Sequence, residues 1–107
     1  MPAVTLTSKY HGRTYRGLPF DYWWDLTPSQ VARLGVGGSL ILVQKDTGRQ
    51  TCIAQVELMP VLSQGGQTSR HSHSWGLFLP SSDHSLLAVQ AGVGRTGWHY
   101  LREITWS

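Results

Sequence analysis

Apolar residues occur in this chain only in short runs, and the longest, such as 40–43, hold four residues. Segments rich in Gly, Pro, Ser and Thr separate these runs. Short alternating runs between frequent turns are typical of β-strands, whereas a membrane-spanning helix needs about 20 consecutive apolar residues. The pattern predicts a mainly β (α+β) fold, a single domain over 1–107. Its expected architecture is a small curled antiparallel sheet or a partly open barrel, with one short helix near 28–34 and no membrane contact.

Charged residues make up 14% of the chain and hydrophobic residues 40%, which excludes a chain that is disordered because of high charge. Nine Lys and Arg against six Asp and Glu give a net charge of +3, which favours anionic partners only mildly. The single cysteine, Cys52, excludes an internal disulfide and a cysteine-based zinc cluster. No apolar leader precedes Gly17, so we expect a cytoplasmic protein.

The clearest local signal is a helix start at Thr27. Pro28 follows at the first helical position and Gln30 stands three residues after Thr27, the spacing of a capping box. Gly35 is placed to end the helix in a left-handed conformation. The sequence therefore predicts a helix of about two turns over 28–34, which needs a larger surface to dock on.

Alternating residues predict the strands. Residues 3–16 are expected to form a hairpin turned at Gly12, which places Tyr10 and Tyr15 on the same core-facing side. Residues 39–44 and 51–59 are expected to form a central hairpin.

In the second strand of that central hairpin, Cys52 shares a face with Leu58 and is predicted to be a core thiol. A further strand is expected at 75–79. Residues 84–91 fit either a short helix or a strand, and 98–106 alternate as a strand.

Basic residues without neighbouring acids give the leading functional hypothesis. No acid precedes Asp21, and two tyrosines are interleaved among the first cations. This combination is typical of surfaces that stack bases and contact phosphates. We therefore expect a non-enzymatic protein that binds nucleic acid through an Arg-rich outer face, formed by Lys9, Arg13, Arg16, Arg49, Arg70 and Arg95.

The glycine-rich segment 91–97, which contains Arg95, is similar to the phosphate-binding loop of protein tyrosine phosphatases. In that family a cysteine nucleophile stands six residues before the arginine, and Val89 occupies that position here. Phosphatase chemistry is therefore excluded. Arg95 is left as an anion contact or as an exposed residue of a glycine turn.

Consecutive aromatic residues give an alternative function. Tyr22, Trp23 and Trp24 cannot all face inward, so at least one is expected to be exposed or to lie under a loop. Large aromatic side chains are favoured anchors in protein interfaces, which suggests an inhibitor or immunity-type protein directed at a protein partner. A second stripe of Trp98, Tyr100, Ile104 and Trp106 is expected on one strand face, as core or as an open platform.

Histidines give a second alternative, a small His-dependent enzyme. His71 and His73 are spaced to share a strand face, and His99 could join them in a cleft. A polar loop is the favoured interpretation of this segment, so no metal, cofactor or catalytic residue is predicted.

Overall fold

The computed structural model describes residues 2–65, 74–90 and 98–107, and within these ranges it contains two β-sheets and two helices. The mainly β class with some helix is confirmed, and neither sheet closes into a barrel. The strands are Ala3–Ser8 (β1), Arg13–Tyr15 (β2), Leu18–Leu26 (β3), Ser39–Gln44 (β4), Gln50–Ala54 (β5), Trp75–Pro80 (β6), Leu87–Gln90 (β7) and Trp98–Leu101 (β8). The helices are Pro28–Leu34 (α1) and Gln55–Gly65 (α2).

The three-stranded sheet has the order β1-β4-β5, with β1 parallel to β4 and β4 antiparallel to β5. The hairpin predicted for 3–16 is therefore wrong, because β1 pairs with β4 and not with β2. Its Val4 aligns with Leu40 and Ile53 in one buried row across the sheet. The three residues of β2 are all exposed, so pairing with β2 could not bury the apolar face of β1.

The five-stranded sheet has the order β2-β3-β6-β7-β8, and every neighbouring pair is antiparallel. A bulge in β3 between Phe20 and Tyr22 reverses the alternation of its side chains. Phe20 consequently faces outward, with the second apolar cluster, while Tyr22 and Trp24 face the core between the two sheets.

The main core lies between the two sheets and beneath the helices. Trp106, near the C-terminus, stacks on Trp24 with 5.9 Å between ring centroids, and its indole N–H donates to the carbonyl of His84. The hydroxyl of Tyr22 donates to Asp46 in the β4–β5 turn at 2.7 Å, which links the two sheets. The buried core residues include Leu26, Leu34, Leu40, Leu42, Ile53, Leu58, Leu62, Leu77, Leu79, Leu87 and Val89.

Helix α1 forms as predicted. The hydroxyl of Thr27 accepts from the backbone N–H of Gln30 at 3.3 Å, and the Gln30 amide oxygen accepts from the N–H of Thr27 at 2.9 Å. Gly35 follows the helix with φ of 58° and ψ of −178°, so it does not adopt the left-handed helical conformation predicted for the helix end. Leu34 anchors the helix in the core, which supplies the docking surface that two turns require.

The β4–β5 hairpin is confirmed, but the strand predicted for 51–59 ends at Ala54. Helix α2 follows directly and contains Leu58. Leu58 and Cys52 therefore do not lie on the same face of one strand. Ile53 faces the core instead, and Cys52 is exposed on the other side of the sheet. The prediction of a core thiol is wrong for this reason.

The C-terminal part contains the predicted strand at 75–79 as β6. Of the ambiguous segment 84–91, residues 87–90 form strand β7, and residue 91 lies outside the described residues. Strand β8 ends at Leu101, and Glu103 adopts a φ of 59° that breaks the alternation. Trp98 and Tyr100 therefore lie on the outer face, whereas Ile104 and Trp106 pack against the main core. The prediction that these residues share one face is wrong. Neither helix in the described ranges has the length and apolarity needed to span a membrane.

Candidate functional site

Aromatic side chains cover the outer face of the five-stranded sheet. Trp23, Phe78, Ala88 and Tyr100 are direct partners across β3, β6, β7 and β8, and partners in a sheet point to the same side. The β2–β3 hairpin adds further rings to this side. We use the term aromatic face for the set Tyr15, Phe20, Trp23, Phe78, Trp98 and Tyr100.

Phe78 lies at the centre of the aromatic face and is buried by four other rings. Tyr15 and Trp23 stack on it with centroid distances of 5.4 and 6.0 Å. Phe20 and Trp98 meet it edge to face at 5.0 and 5.1 Å. Both geometries are favourable for aromatic pairs, so the rings hold one another in fixed orientations.

Two rings of the aromatic face remain accessible. Trp23 is 39% exposed and Tyr15 is 36% exposed. Their planes lie within 12° and 10° of the plane of Phe78. The site therefore presents two flat rings of similar orientation, each partly accessible to solvent.

Cations border these two rings. Arg13 is the cross-strand partner of Phe20 and lies on the same side of the sheet. The guanidinium of Arg16 lies 5.6 Å from the centroid of Tyr15. Lys9 is exposed in the β1–β2 connection. The nearest acid in sequence, Asp21, accepts from Ser81 Oγ at 2.7 Å and lies 2.8 Å from His84 Nε2.

Arg16 also ties the β2–β3 turn to the sheet. Arg16 and Gly17 have φ of 50° and 79°, positive at both central positions as a type I′ turn requires. The side chain reaches Gln90, which is 1% exposed. With the Gln90 amide oxygen facing Arg16, it accepts from Nη1 at 2.9 Å and from Nε at 3.2 Å. This contact fixes the hairpin over the aromatic face.

His11 packs beside Trp23, with 6.1 Å between the two ring centroids, and lies 5.9 Å from Phe20. Burial lowers the pKa of His11 below its usual value, and the charges of Lys9 and Arg13 lower it further. This shift favours the neutral form of the imidazole.

A groove of about 360 Å³ runs beside Trp23. The backbone N–H of Trp23 donates to Ser8 Oγ at 3.2 Å, which joins β3 to β1 at the groove wall. Asp25 lies two residues along β3 from Trp23 and accepts from Ser74 Oγ at 3.1 Å. The lining residues are Leu6, Thr7, Ser8, Lys9, His11, Trp23, Trp24 and Asp25.

The structure brings together part of the predicted basic surface. Lys9, Arg13 and Arg16 lie around the aromatic face, but Arg49 lies at the β4–β5 hairpin of the other sheet, where it donates to the carbonyl of Trp106. Arg70 and Arg95 lie outside the described residues.

The predicted aromatic triplet is divided between two sides of the sheet. Tyr22 and Trp24 are buried in the core at 4% and 2% exposure, and the Trp24 indole donates to the carbonyl of Val43. Trp23 alone of the three is accessible, so the expectation of at least one exposed ring is confirmed. Sequence reasoning missed Phe78, which centres the site, and placed Tyr10 and Tyr15 in the core although both are exposed.

The predicted histidine cluster has little described structure. His71 and His73 lie outside the described residues. His99 is half-buried in β8 opposite Val89, whose side chain belongs to the main core. Across the described ranges, no group of three His, Cys, Asp or Glu side chains is arranged to hold a metal ion.

Comparisons with known proteins give one informative similarity. No family model matches the chain, and no solved structure matches it. A formate–tetrahydrofolate ligase of Paenarthrobacter aurescens (strain TC1) is 30% identical over 81 residues. The alignment covers 72% of this chain but 14% of the ligase, so the chain is similar to a small part of that enzyme.

Proposed function

We propose that the protein binds single-stranded nucleic acid on its aromatic face. Bases stack on Trp23 and Tyr15, and Lys9, Arg13 and Arg16 contact the phosphates. The observation that carries the proposal is the pair of accessible rings, both held nearly parallel to Phe78 and bordered by cations. Stacking on an aromatic side chain contributes about 1–3 kcal/mol per base.

The flat geometry favours single strands over duplexes. The bases of a duplex are already stacked on one another, so they do not present free ring faces to a protein surface. The net charge of +3 is low, so phosphate contacts alone would give weak and salt-sensitive binding. Binding then depends on stacking, for which a single strand offers free bases. Stacking therefore supplies the larger share of the affinity in this proposal.

A protein partner would use the same exposed Trp23, since aromatic rings also anchor protein interfaces. The cations around the rings favour the phosphate backbone. The ligase activity of the formate–tetrahydrofolate ligase is not part of this proposal, because the chain spans 14% of that enzyme.

Fluorescence anisotropy with labelled 12-nucleotide RNA and DNA strands tests the proposal. Trp23→Ala and Tyr15→Ala should each weaken binding about 5- to 150-fold, the loss of one stacked base. Arg13→Ala should weaken binding for all sequences and reduce the slope of log K against log salt by about 0.7. Arg49→Ala, at the other sheet, is the matched control and should leave binding unchanged.

Absence of binding at low salt would overturn the proposal, as would equal affinity of the wild type and a folded Trp23→Ala variant. If Trp23→Ala no longer binds a purified protein partner but binds oligonucleotides as the wild type does, the aromatic face is a site of protein recognition instead.

A further inference from the structure

The groove beside Trp23 has ends of opposite charge. Trp23 lies between them: its backbone N–H donates to Ser8 Oγ, and the N–H of His11 donates to the carbonyl of Asp21, so residues 8–11 run beside β3 away from Asp25. Lys9 follows Ser8 at one end, where His11 packs against the indole. Asp25 lies at the other end, about 7 Å from Trp23 along the strand.

This arrangement would be unfavourable for a surface that contacts phosphates along its whole length. The Asp25 carboxylate repels a phosphate, and a carboxylate is an acceptor without donors. A ligand that fills the groove must therefore present N–H groups to Asp25, at the end of the groove away from Lys9. The volume of about 360 Å³ lies in the range of small-ligand sites.

We propose that this groove binds a guanine nucleotide, with the base stacked on Trp23, its N–H edge on Asp25 and its phosphate at Lys9. The inference rests on the proposed function, since it makes the groove the specific subsite of a nucleic-acid surface. Guanine carries two adjacent donors, N1–H and the 2-amino group, which match the two oxygens of one carboxylate in parallel bonds.

The other bases fit Asp25 less well. Adenine and cytosine place an acceptor nitrogen beside their amino group, and uracil flanks its single N–H with two carbonyls. Each of these acceptors would face the carboxylate and be repelled by it. Asp25 already accepts a hydrogen bond from Ser74 Oγ. Its carboxylate can still accept from the base, because a carboxylate has about four lone-pair sites.

Calorimetric titration with mononucleotides tests the inference. GMP should bind at least about 10-fold more tightly than IMP, which lacks the 2-amino group, and than AMP. Folic acid, whose pterin ring carries the same donor edge, is a separate arm. Tighter binding of folic acid than of GMP would identify a pterin as the source of this edge and overturn the nucleotide assignment.

Asp25→Asn is the decisive variant, because asparagine keeps the shape and can still accept from Ser74. It should weaken GMP binding at least about 10-fold and improve binding of xanthosine monophosphate, whose 2-carbonyl can accept from the new amide. Lys9→Ala should weaken GMP but not guanosine. Glu57→Gln, an exposed acid outside the groove, is the matched control and should change neither.

The two proposals fail in different ways. If oligonucleotides bind through Trp23 but Asp25→Asn leaves the GMP preference unchanged, the groove assignment is overturned and the proposed function stands. If GMP binds in an Asp25-dependent way and no oligonucleotide binds, the groove assignment stands as a mononucleotide site and the proposed function is overturned.

Discussion

Trp23 and Phe78 face each other across β3 and β6, and their rings stack with 6.0 Å between centroids and 12° between planes. The accessible indole is therefore supported by a ring that is itself buried. A side chain held in this way loses little conformational freedom when a ligand binds, which increases the affinity available from stacking. The relationship between these two residues links the stability of the sheet to its proposed function.

Phe78→Ala should lower the free energy of unfolding by about 3–5 kcal/mol, the usual cost of removing a buried phenylalanine. Four rings would lose their common contact. Urea denaturation followed by circular dichroism measures the loss. Val36→Ala, at a position that is 90% exposed, is the control and should change stability by no more than about 0.5 kcal/mol. Equal stability of the two variants would contradict a structural role for Phe78.

Arg16 and Gln90 should be energetically coupled by about 1.5–3 kcal/mol, the range for hydrogen bonds to a charged group. A double-mutant cycle with Arg16→Asn and Gln90→Leu measures this coupling. Asparagine tolerates the positive φ of position 16, so the first variant removes the side-chain bonds without straining the turn. Strictly additive losses of stability would show that the contact in the structure has no energetic consequence.

The sequence predicts those elements that depend on neighbouring residues. Helix α1 is specified by Thr27, Pro28 and Gln30, all within one turn, and its capping box forms as expected. The β4–β5 hairpin likewise follows from local alternation and a turn. Such interactions need no knowledge of the rest of the fold.

The elements that were mispredicted depend on distant partners. The pairing of β1 with β4 joins residues 36 positions apart, as in Val4 with Leu40. The bulge between Phe20 and Tyr22 changes which side of the sheet each ring occupies. The alternation of side chains in the sequence reveals neither the order of the strands nor the position of a bulge. Tyr15 and Phe78 were therefore not recognised as parts of one site. The exposed ring of the aromatic triplet was predicted, because three consecutive side chains cannot share one face.

Thr27→Ala should destabilise the protein by about 1 kcal/mol, because the N–H of Gln30 would lose its side-chain acceptor. Thr27→Ser keeps the hydroxyl and should cost much less. Thermal or urea denaturation distinguishes the two variants. A serine variant as unstable as the alanine variant would point to the lost methyl group rather than to the cap.

Tyr22 should make stability fall at high pH. Burial raises the pKa of Tyr22 to about 12, with the hydrogen bond to Asp46 and the charge of Asp46 adding to the effect. In the unfolded chain the hydroxyl ionises near its ordinary pKa of about 10. Between these two values the unfolded state releases a proton that the folded state keeps.

The Tyr22 contribution is therefore complete below pH 10 and declines as pH rises toward 12, at up to about 1.4 kcal/mol per pH unit. Tyr22→Phe removes this titration and also the bond to Asp46. Urea denaturation at pH 7, 10 and 11 measures the difference in stability between the two proteins. The wild type should be more stable than Tyr22→Phe at pH 7, and this difference should shrink above pH 10. Effects of pH that do not involve Tyr22 are common to both proteins and cancel in the difference. Parallel stability curves for the two proteins would contradict the buried, protonated hydroxyl that joins the two sheets.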